Sequence, residues 1–141
     1  MTLLDSSARR TAFLERAADR LDLRDRVLVV NARAEACGRE TALRGAFDGV
    51  TARSFGRPAV VAECAAPLLK VGGWLVVSEP PPPSEGGQAG VRWPEAPLCQ
   101  LGLVPHEEIY EEFGYQVLRQ VEPCPERFPR RVGVPAKKPL F

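Results

Sequence analysis

MTLLDSSARRTAFLERA, residues 1–17, decides how this chain is read. A short apolar run at Leu3 and Leu4 ends in an acid, Asp5, and a helix start follows at once. Ser6 or Ser7 can cap that helix, because a serine hydroxyl accepts from the free N–H groups of a first turn. Over 8–22, Phe13, Leu14, Ala17 and Leu21 recur at helical spacing and predict one buried face. Arg9, Arg10, Arg16 and Arg20 fall on the other faces. A strand that closes on a carboxylate and passes straight into a helix is the inner part of an α/β unit. In such units the strand ends gather around a ligand.

Outward from there the pattern repeats. RVLVVNA, 26–32, is valine-rich and reads as a buried strand. RAEACGRETALRGA, 33–46, reads as a loop with a short helix, and FDGVTARSF, 47–55, as a strand running into a loop. PAVVAECAAPLL, 58–69, reads as a helix with Pro58 in its first turn, ended by Lys70 and the Gly72–Gly73 pair. WLVVSEP, 74–80, is another buried strand. PPPPSEGGQAGV, 80–91, cannot hold regular structure, and a mobile loop is expected over 79–93. A helix over 94–101 stops at Gly102. HEEIYEEF, 106–113, and YQVLRQVE, 115–122, read as two strands joined tightly at Gly114. No internal repeat is visible.

Valine-rich strands alternating with amphipathic helices predict an α/β fold, a parallel Rossmann-like sheet with helices on both faces. The last two strands add an antiparallel hairpin at one edge. One domain is expected over 1–122, with a basic, proline-rich tail over 123–141 packed on it or flanking it.

Composition excludes several classes. The chain has 141 residues, 45% of them hydrophobic, which is enough for one real core. Net charge is +1, so bulk charge selects no partner. Acids cluster at Glu107, Glu108, Glu111 and Glu112, and bases in the tail. No stretch approaches the roughly 20 apolar residues of a membrane span. Arg9 and Arg10 interrupt any signal-peptide core, so a cytoplasmic location is expected. Cys37, Cys64, Cys99 and Cys124 lie far apart with no C-x-x-C pair, so neither a zinc site nor a disulfide framework is expected. His106 is the sole histidine and no residue beside it suggests a triad, so it reads as structural or exposed.

The candidate functional residues sit at strand ends. An ionised Asp5 has only acceptor sites and can take both hydroxyls of a ribose; it can equally cap the helix. After the second strand, Ala34 could pack an adenine, while Glu35 reads as a site residue or a surface charge. Arg53 ends the third strand, where an arginine faces an anion or pairs with a nearby acid. Ser78 and Glu79 reach the same rim from the fourth.

Four stretches together resemble one family. LLDSSARRTAFL, VVNARAE, FDGVTARSF and RFPRRVGVPAKKPL are similar in order and spacing to the C-terminal two-thirds of the small-subunit ribosomal RNA guanine-N7 methyltransferases, the RsmG or GidB family. The resemblance implies a class I methyltransferase fold that binds S-adenosylmethionine and methylates N7 of a guanine in ribosomal RNA. It implies that Asp5 takes the ribose hydroxyls and that Ala34 and Glu35 flank the adenine. It places Arg53 by the methionine end or the target base, and Arg9, Arg10, Arg130 and Arg131 on RNA phosphates.

The resembling family carries a first strand and a glycine-rich loop ahead of the position of Asp5, and only four residues precede Asp5 here. A first strand missing from mid-sheet is therefore expected, with weak or no activity for the chain as given. A misplaced start is one explanation; others are completion by another chain or an upstream segment, or direct closure of two half-sheets. Two other functions stay open: a non-catalytic Rossmann-like remnant that binds RNA or a partner protein, and a small-molecule methyltransferase of the same fold.

Overall fold

In the computed structural model, residues 1–80 and 91–141 are described. In chain order they form β1 (Thr2–Asp5), α1 (Ala8–Arg20), β2 (Leu28–Asn31), α2 (Ala34–Cys37), β3 (Phe47–Ala52), α3 (Pro58–Ala65), β4 (Leu69–Glu79), α4 (Glu95–Cys99), β5 (Leu103–Tyr110), β6 (Gly114–Gln120) and α5 (Val134–Lys137). A 3-10 turn, Ala66–Leu68, joins α3 to β4.

The strands form two sheets. β1 runs parallel to β2, with Thr2 opposite Leu28 and Asp5 opposite Asn31. The second sheet has the order β3-β4-β6-β5. β3 and β4 are parallel, β4 and β6 are antiparallel, and so are β6 and β5. Among the described residues β1 pairs only with β2, and β3 only with β4. Both β1 and β3 line a single apolar cavity of about 500 Å3. The sheet is thus α/β, with a parallel part and an antiparallel hairpin, interrupted between β1 and β3.

Local chemistry sets the element ends. Ser7 caps α1, its hydroxyl accepting from the Arg10 N–H at 3.4 Å. The face that α1 buries is not the predicted one. Thr11 and Ala18 are buried, Leu14 lines the cavity, and Phe13 and Leu21 are 62% and 68% exposed. The two-stranded floor of β1 and β2 is too narrow to cover the wider apolar face. α3 carries Pro58 in its first turn, but it stops at Ala65, where the chain tightens into the 3-10 turn around Pro67. Gly72 and Gly73 do not end a helix. They lie inside β4, Gly72 at φ +85°, where the ladder with β3 slips: Phe47 faces Leu69, but Gly49 faces Trp74. The strand begins five residues earlier than expected because glycine can absorb this irregularity.

The hairpin forms, but its turn lies one step before the expected joint: Glu111–Phe113 make it, and Gly114 is already the first residue of β6, opposite Tyr110. β5 starts at Leu103 and includes Pro105, tolerated because β5 is an edge strand and its ladder shifts there. Gly102 precedes it at φ +74°, and a Cβ there would lie 2.4 Å from the Glu122 carbonyl oxygen. Gly102→Ala combines left-handed strain of about 1–2 kcal/mol with a backbone clash. A loss of at least about 2 kcal/mol in urea unfolding is the expected result; a change below about 0.5 kcal/mol would mean the turn relaxes freely.

One core forms over the four-stranded sheet. Leu75, Leu98, Leu101, Leu103 and Leu118 are fully buried, joined by Val61, Ala62, Trp93 and Phe128. Phe128 belongs to the tail, so residues 123–141 are not a separate appendage. Arg44 donates to the carbonyls of Gly38, Phe128, Cys124 and Pro125 at 2.7–2.9 Å. Glu63, fully buried in α3, accepts from the Arg130 backbone N–H and forms an ion pair with its guanidinium. Both ends of the loop expected over 79–93 are held: the Trp93 Nε1–H and Arg92 Nε–H donate to Glu79 at 3.1 and 2.5 Å. Residues 81–90 lie outside the described residues.

On the opposite sheet face, Arg119 stacks on Trp74 at 4.0 Å and exposed His106 meets the same ring edge-on at 4.9 Å. Among the described residues, no helix is long and apolar enough to cross a membrane and no cluster of metal-binding groups is found.

Cys37 and Cys64 are buried, Cys124 is half-buried and Cys99 is exposed. Burial, with the Glu35 and Glu63 carboxylates nearby, pushes the Cys64 thiol up to about 12. Desolvation also pushes Cys124 up, to about 11. Only thiolates attack thiol reagents. In the native protein at pH 8, Cys99 is expected to react first with Ellman's reagent, and the other three only on unfolding. Rapid release of more than one equivalent would contradict this packing.

Candidate functional site

The carboxyl ends of β1 and β3 and the start of α2 meet around the cavity between the two sheets. Asp5 stands at the end of β1. Its Oδ1 accepts from the Ser7 N–H at 2.7 Å and its Oδ2 from the Arg10 Nε–H at 2.6 Å. These donors, Arg10 foremost, hold the carboxyl below its ordinary value, so Asp5 is ionised at neutral pH. Asn31 Nδ2–H donates to the Asp5 carbonyl at 3.1 Å and ties the ends of β1 and β2 together. Asp5 both supports the helix start and faces the cavity. Ala34, the first residue of α2, lines the same cavity, as do Leu4, Val30, Thr51 and Ala52.

A second cleft, of about 600 Å3, opens at the ends of β3 and β4. Arg53, Ser78, Glu79, Arg92 and Tyr115 line it. Thr51, Ala52, Phe55 and Val61 border both cavities, so the two adjoin. Ser54 adopts φ +52°, a left-handed conformation uncommon for serine, directly after Arg53. Asp5 and Ala34 thus border the first cavity and Arg53 the one that adjoins it.

The other predicted residues are placed differently. Glu35 is buried, and its Oε1 accepts from the Gly133 N–H at 3.0 Å, so its carboxylate holds the tail turn at Gly133. The Arg130 guanidinium faces inward to Glu63 and is only 28% exposed. Arg10 is exposed but spends its Nε–H on Asp5, while Arg9 and Arg131 are exposed. Sequence reasoning missed Arg44, Glu63 and the Trp93–Glu79 hydrogen bond. Glu63 left one signal, a lone acid in an otherwise apolar helix, which calls for a partner. Arg44 left none, because its partners are backbone carbonyls far along the chain.

The rim combines an acceptor-only carboxylate, an apolar cavity beside a helix start, and a guanidinium over an adjoining cleft. Those features suit a nucleoside held by its ribose, with an anionic or electron-rich second ligand alongside.

Comparisons with known proteins agree on one relationship. Residues 1–79 match the family model GidB, described as rRNA small subunit methyltransferase G. A ribosomal RNA small subunit methyltransferase G of Parasynechococcus marenigrum (strain WH8102) is 38% identical over 147 residues, covering 99% of this chain and 58% of that protein. A protein of the same description from Synechococcus sp. (strain CC9902) is 40% identical over 154 residues, covering 99% of this chain and 59% of that protein. The chain thus spans somewhat over half the length of these relatives. Among solved structures, the [4+2]-cyclase SpnF superposes with a TM-score of 0.60 at 18% identity, covering 84% of this chain and 65% of that one. Geranyl diphosphate C-methyltransferase from Streptomyces coelicolor A3(2), in complex with S-adenosyl-L-homocysteine, superposes with a TM-score of 0.57 at 16% identity, covering 85% and 64%. These likenesses show the fold.

Proposed function

We propose a function from one premise: this chain belongs to the rRNA small subunit methyltransferase G family. On that premise it serves transfer of a methyl group from S-adenosylmethionine to N7 of a guanine in small-subunit ribosomal RNA. The observation that carries the reading is the shared rim, with Asp5 and Ala34 on one cavity and Arg53 on the cleft that adjoins it.

The residues present fit the nucleoside half of the cofactor. Asp5 is ionised and can accept both ribose hydroxyls once Arg10 swings out, which is open to it because Arg10 is exposed. Ala34 and the backbone at Glu35 flank the adenine, while the Glu35 carboxylate keeps the tail turn in place. When bound, the sulfonium supplies an electrophilic methyl carbon that needs no activation by the protein. Guanine N7 carries its lone pair in the neutral base, so no residue has to remove a proton first. The chain's task is alignment and exclusion of water, where proximity supplies most of the rate. Arg53, on the second cleft next to the Thr51–Ala52 stretch that both cavities share, orients the acceptor. Arg9 and Arg131 are exposed and available to RNA phosphates, with Arg10 joining them when it leaves Asp5. The inner length of the first cavity, between the edges of β1 and β3, is where a further strand, from an upstream segment or a partner chain, would complete the sheet, leaving the cofactor the carboxyl-end mouth at Asp5 and Ala34.

Titration calorimetry with S-adenosylmethionine tests this reading. Asp5→Asn replaces one acceptor oxygen with a donor, and a loss of roughly 10- to 100-fold in affinity is expected. An unchanged affinity would remove Asp5 from the cofactor site. Residues 1–141 alone are expected to bind weakly, and more tightly once an upstream segment completes the sheet. The interrupted sheet favours one second reading, an RNA-binding chain that takes no cofactor; RNA binding with no heat from the cofactor at millimolar concentration, even with that segment restored, would select it.

A further inference from the structure

We propose that the cleft at the ends of β3 and β4 receives a single unstacked guanine of single-stranded RNA and that Glu79 selects the base. The inference rests on the methyl-transfer reading for the presence of RNA, and deepens it by naming the residue that chooses guanine.

Aromatic exposure gives the first observation. Phe55, Phe113 and Tyr115 all line this cleft and are 50%, 58% and 37% exposed. Phe55 follows β3, while Phe113 and Tyr115 sit at the turn into β6 and in β6 itself, on the other side of β4. The end of β4 is thus a floor between rings from two sides. Exposed aromatic rings beside an arginine are a stacking platform for a base whose phosphates the arginine attracts, and Arg53 lines the same cleft.

Glu79 gives the second observation. It lines the floor of the cleft, and its side chain is only 4% exposed. The buried Trp93 indole N–H and the Arg92 Nε–H each donate to one of its oxygens and fix its orientation. A carboxylate has about four acceptor sites, so each oxygen keeps one free. Arg92 is itself half exposed and can move aside. An acceptor-only pair matches one nucleobase. Guanine presents two neighbouring donors, N1–H and N2–H, on its Watson–Crick edge. Adenine offers an acceptor at N1, cytosine an acceptor at N3, and uracil a donor flanked by two carbonyls; each sets a lone pair against the carboxylate. A guanine gripped by N1 and N2 has N7 on the far side of its ring system, free of protein hydrogen bonds and available to the adjoining cavity that Asp5 faces.

The test is fluorescence anisotropy of the 141-residue chain with labelled single-stranded RNA pentamers, at low salt and without cofactor. The pentamers are uridines around one central guanosine, adenosine or inosine. We expect the guanosine pentamer to bind roughly tenfold tighter than the adenosine one, with inosine, which lacks the N2 donors, between them. Tyr115→Ala should weaken guanosine and adenosine alike. Glu79→Gln should erase the preference between them. Because Glu79→Gln could disturb the fold, the inosine comparison on the unaltered protein stands as an independent check. Equal binding of guanosine and adenosine, or a preference that survives in Glu79→Gln, overturns the assignment of Glu79 and leaves the methyl-transfer reading intact. Binding to none of the pentamers overturns both.

Discussion

Arg130→Ala is expected to destabilise the domain by about 3–5 kcal/mol, read as a fall in the urea midpoint with an unchanged slope. The argument starts in α3. Glu63 is fully buried, and among the described residues its carboxylate is held by Arg130 alone, through the backbone N–H and Nε at 2.8 Å and Nη2 at 2.5 Å. Truncating Arg130 strands a negative charge in the core with one backbone N–H, and an uncompensated buried charge costs several kcal/mol. Arg130 is 28% exposed, so water can reach part of the wound and the lower half of the range is the expected result. A whole domain is stable by only about 5–15 kcal/mol, so the variant should sit near its unfolding threshold at 37 °C. Two companions sharpen the test. Arg130→Lys keeps the charge but cannot fork, and should fall between. Arg131→Ala, one residue on and exposed, should change stability by less than about 0.5 kcal/mol while weakening RNA binding in low salt. If Arg130→Ala is as stable as Arg131→Ala, the tail is not anchored through Glu63.

The same pair shows what the sequence discloses and what it hides. Strands within 26–32, 47–55 and 74–80 were legible because short apolar runs between turn residues have few other uses. But β2 is not the buried strand its valines suggested: Leu28 is 57% exposed and no residue of β2 is buried, because among the described residues β2 has β1 on one edge only. Asp5 and Arg53 were legible as strand ends for the same reason, and the hairpin was legible from its alternation, although its turn falls at 111–113 and not at Gly114. What stayed hidden depends on partners distant in the chain. Arg130 and Glu35 look like free charges in a linear reading, yet one closes on a carboxylate 67 residues away and the other on a backbone N–H 98 residues away. Phe13 and Leu21 read as core because helical spacing says which residues share a face, not whether anything covers that face. The glycines at 72 and 73 read as a helix stop because glycine permits a bulge as readily as a terminus. The second cleft was half legible. Ser78, Glu79 and Arg53 fall at a rim, but the rings of Phe113 and Tyr115 arrive only through the pairing of β6 with β4.

Backbone amides of β1 and β2 are expected to exchange with solvent deuterium at least about 100-fold faster than those at the centres of β4 and β6. β4 lies between β3 and β6, and β6 between β4 and β5, so each has its ladder on both edges. Among the described residues β1 and β2 have ladder partners only in each other, and α1 is the element packed most closely on them. A lone two-stranded pair is marginal in water, and α1 buries little more than Thr11 and Ala18 upon it. Opening this unit should therefore cost about 1–3 kcal/mol, against the full unfolding free energy for the central strands. The consequence for function follows directly. Asp5 rides on the loosely held unit, while Arg53 rides on the four-stranded sheet, so the two halves of the rim are aligned only while the unit is docked. A ligand that needs both binds with its intrinsic affinity divided by the docked fraction's reciprocal, and binding must in turn slow exchange at Leu3–Asp5 and Val29–Asn31. A strand seated between β1 and β3 would pair both free edges and bring β1 to the protection of β4. Hydrogen exchange followed by mass spectrometry, with and without S-adenosylmethionine, measures each of these. Protection of β1 and β2 equal to that of β4 and β6 in the free chain would show that the two sheets move as one body and that the rim is already built.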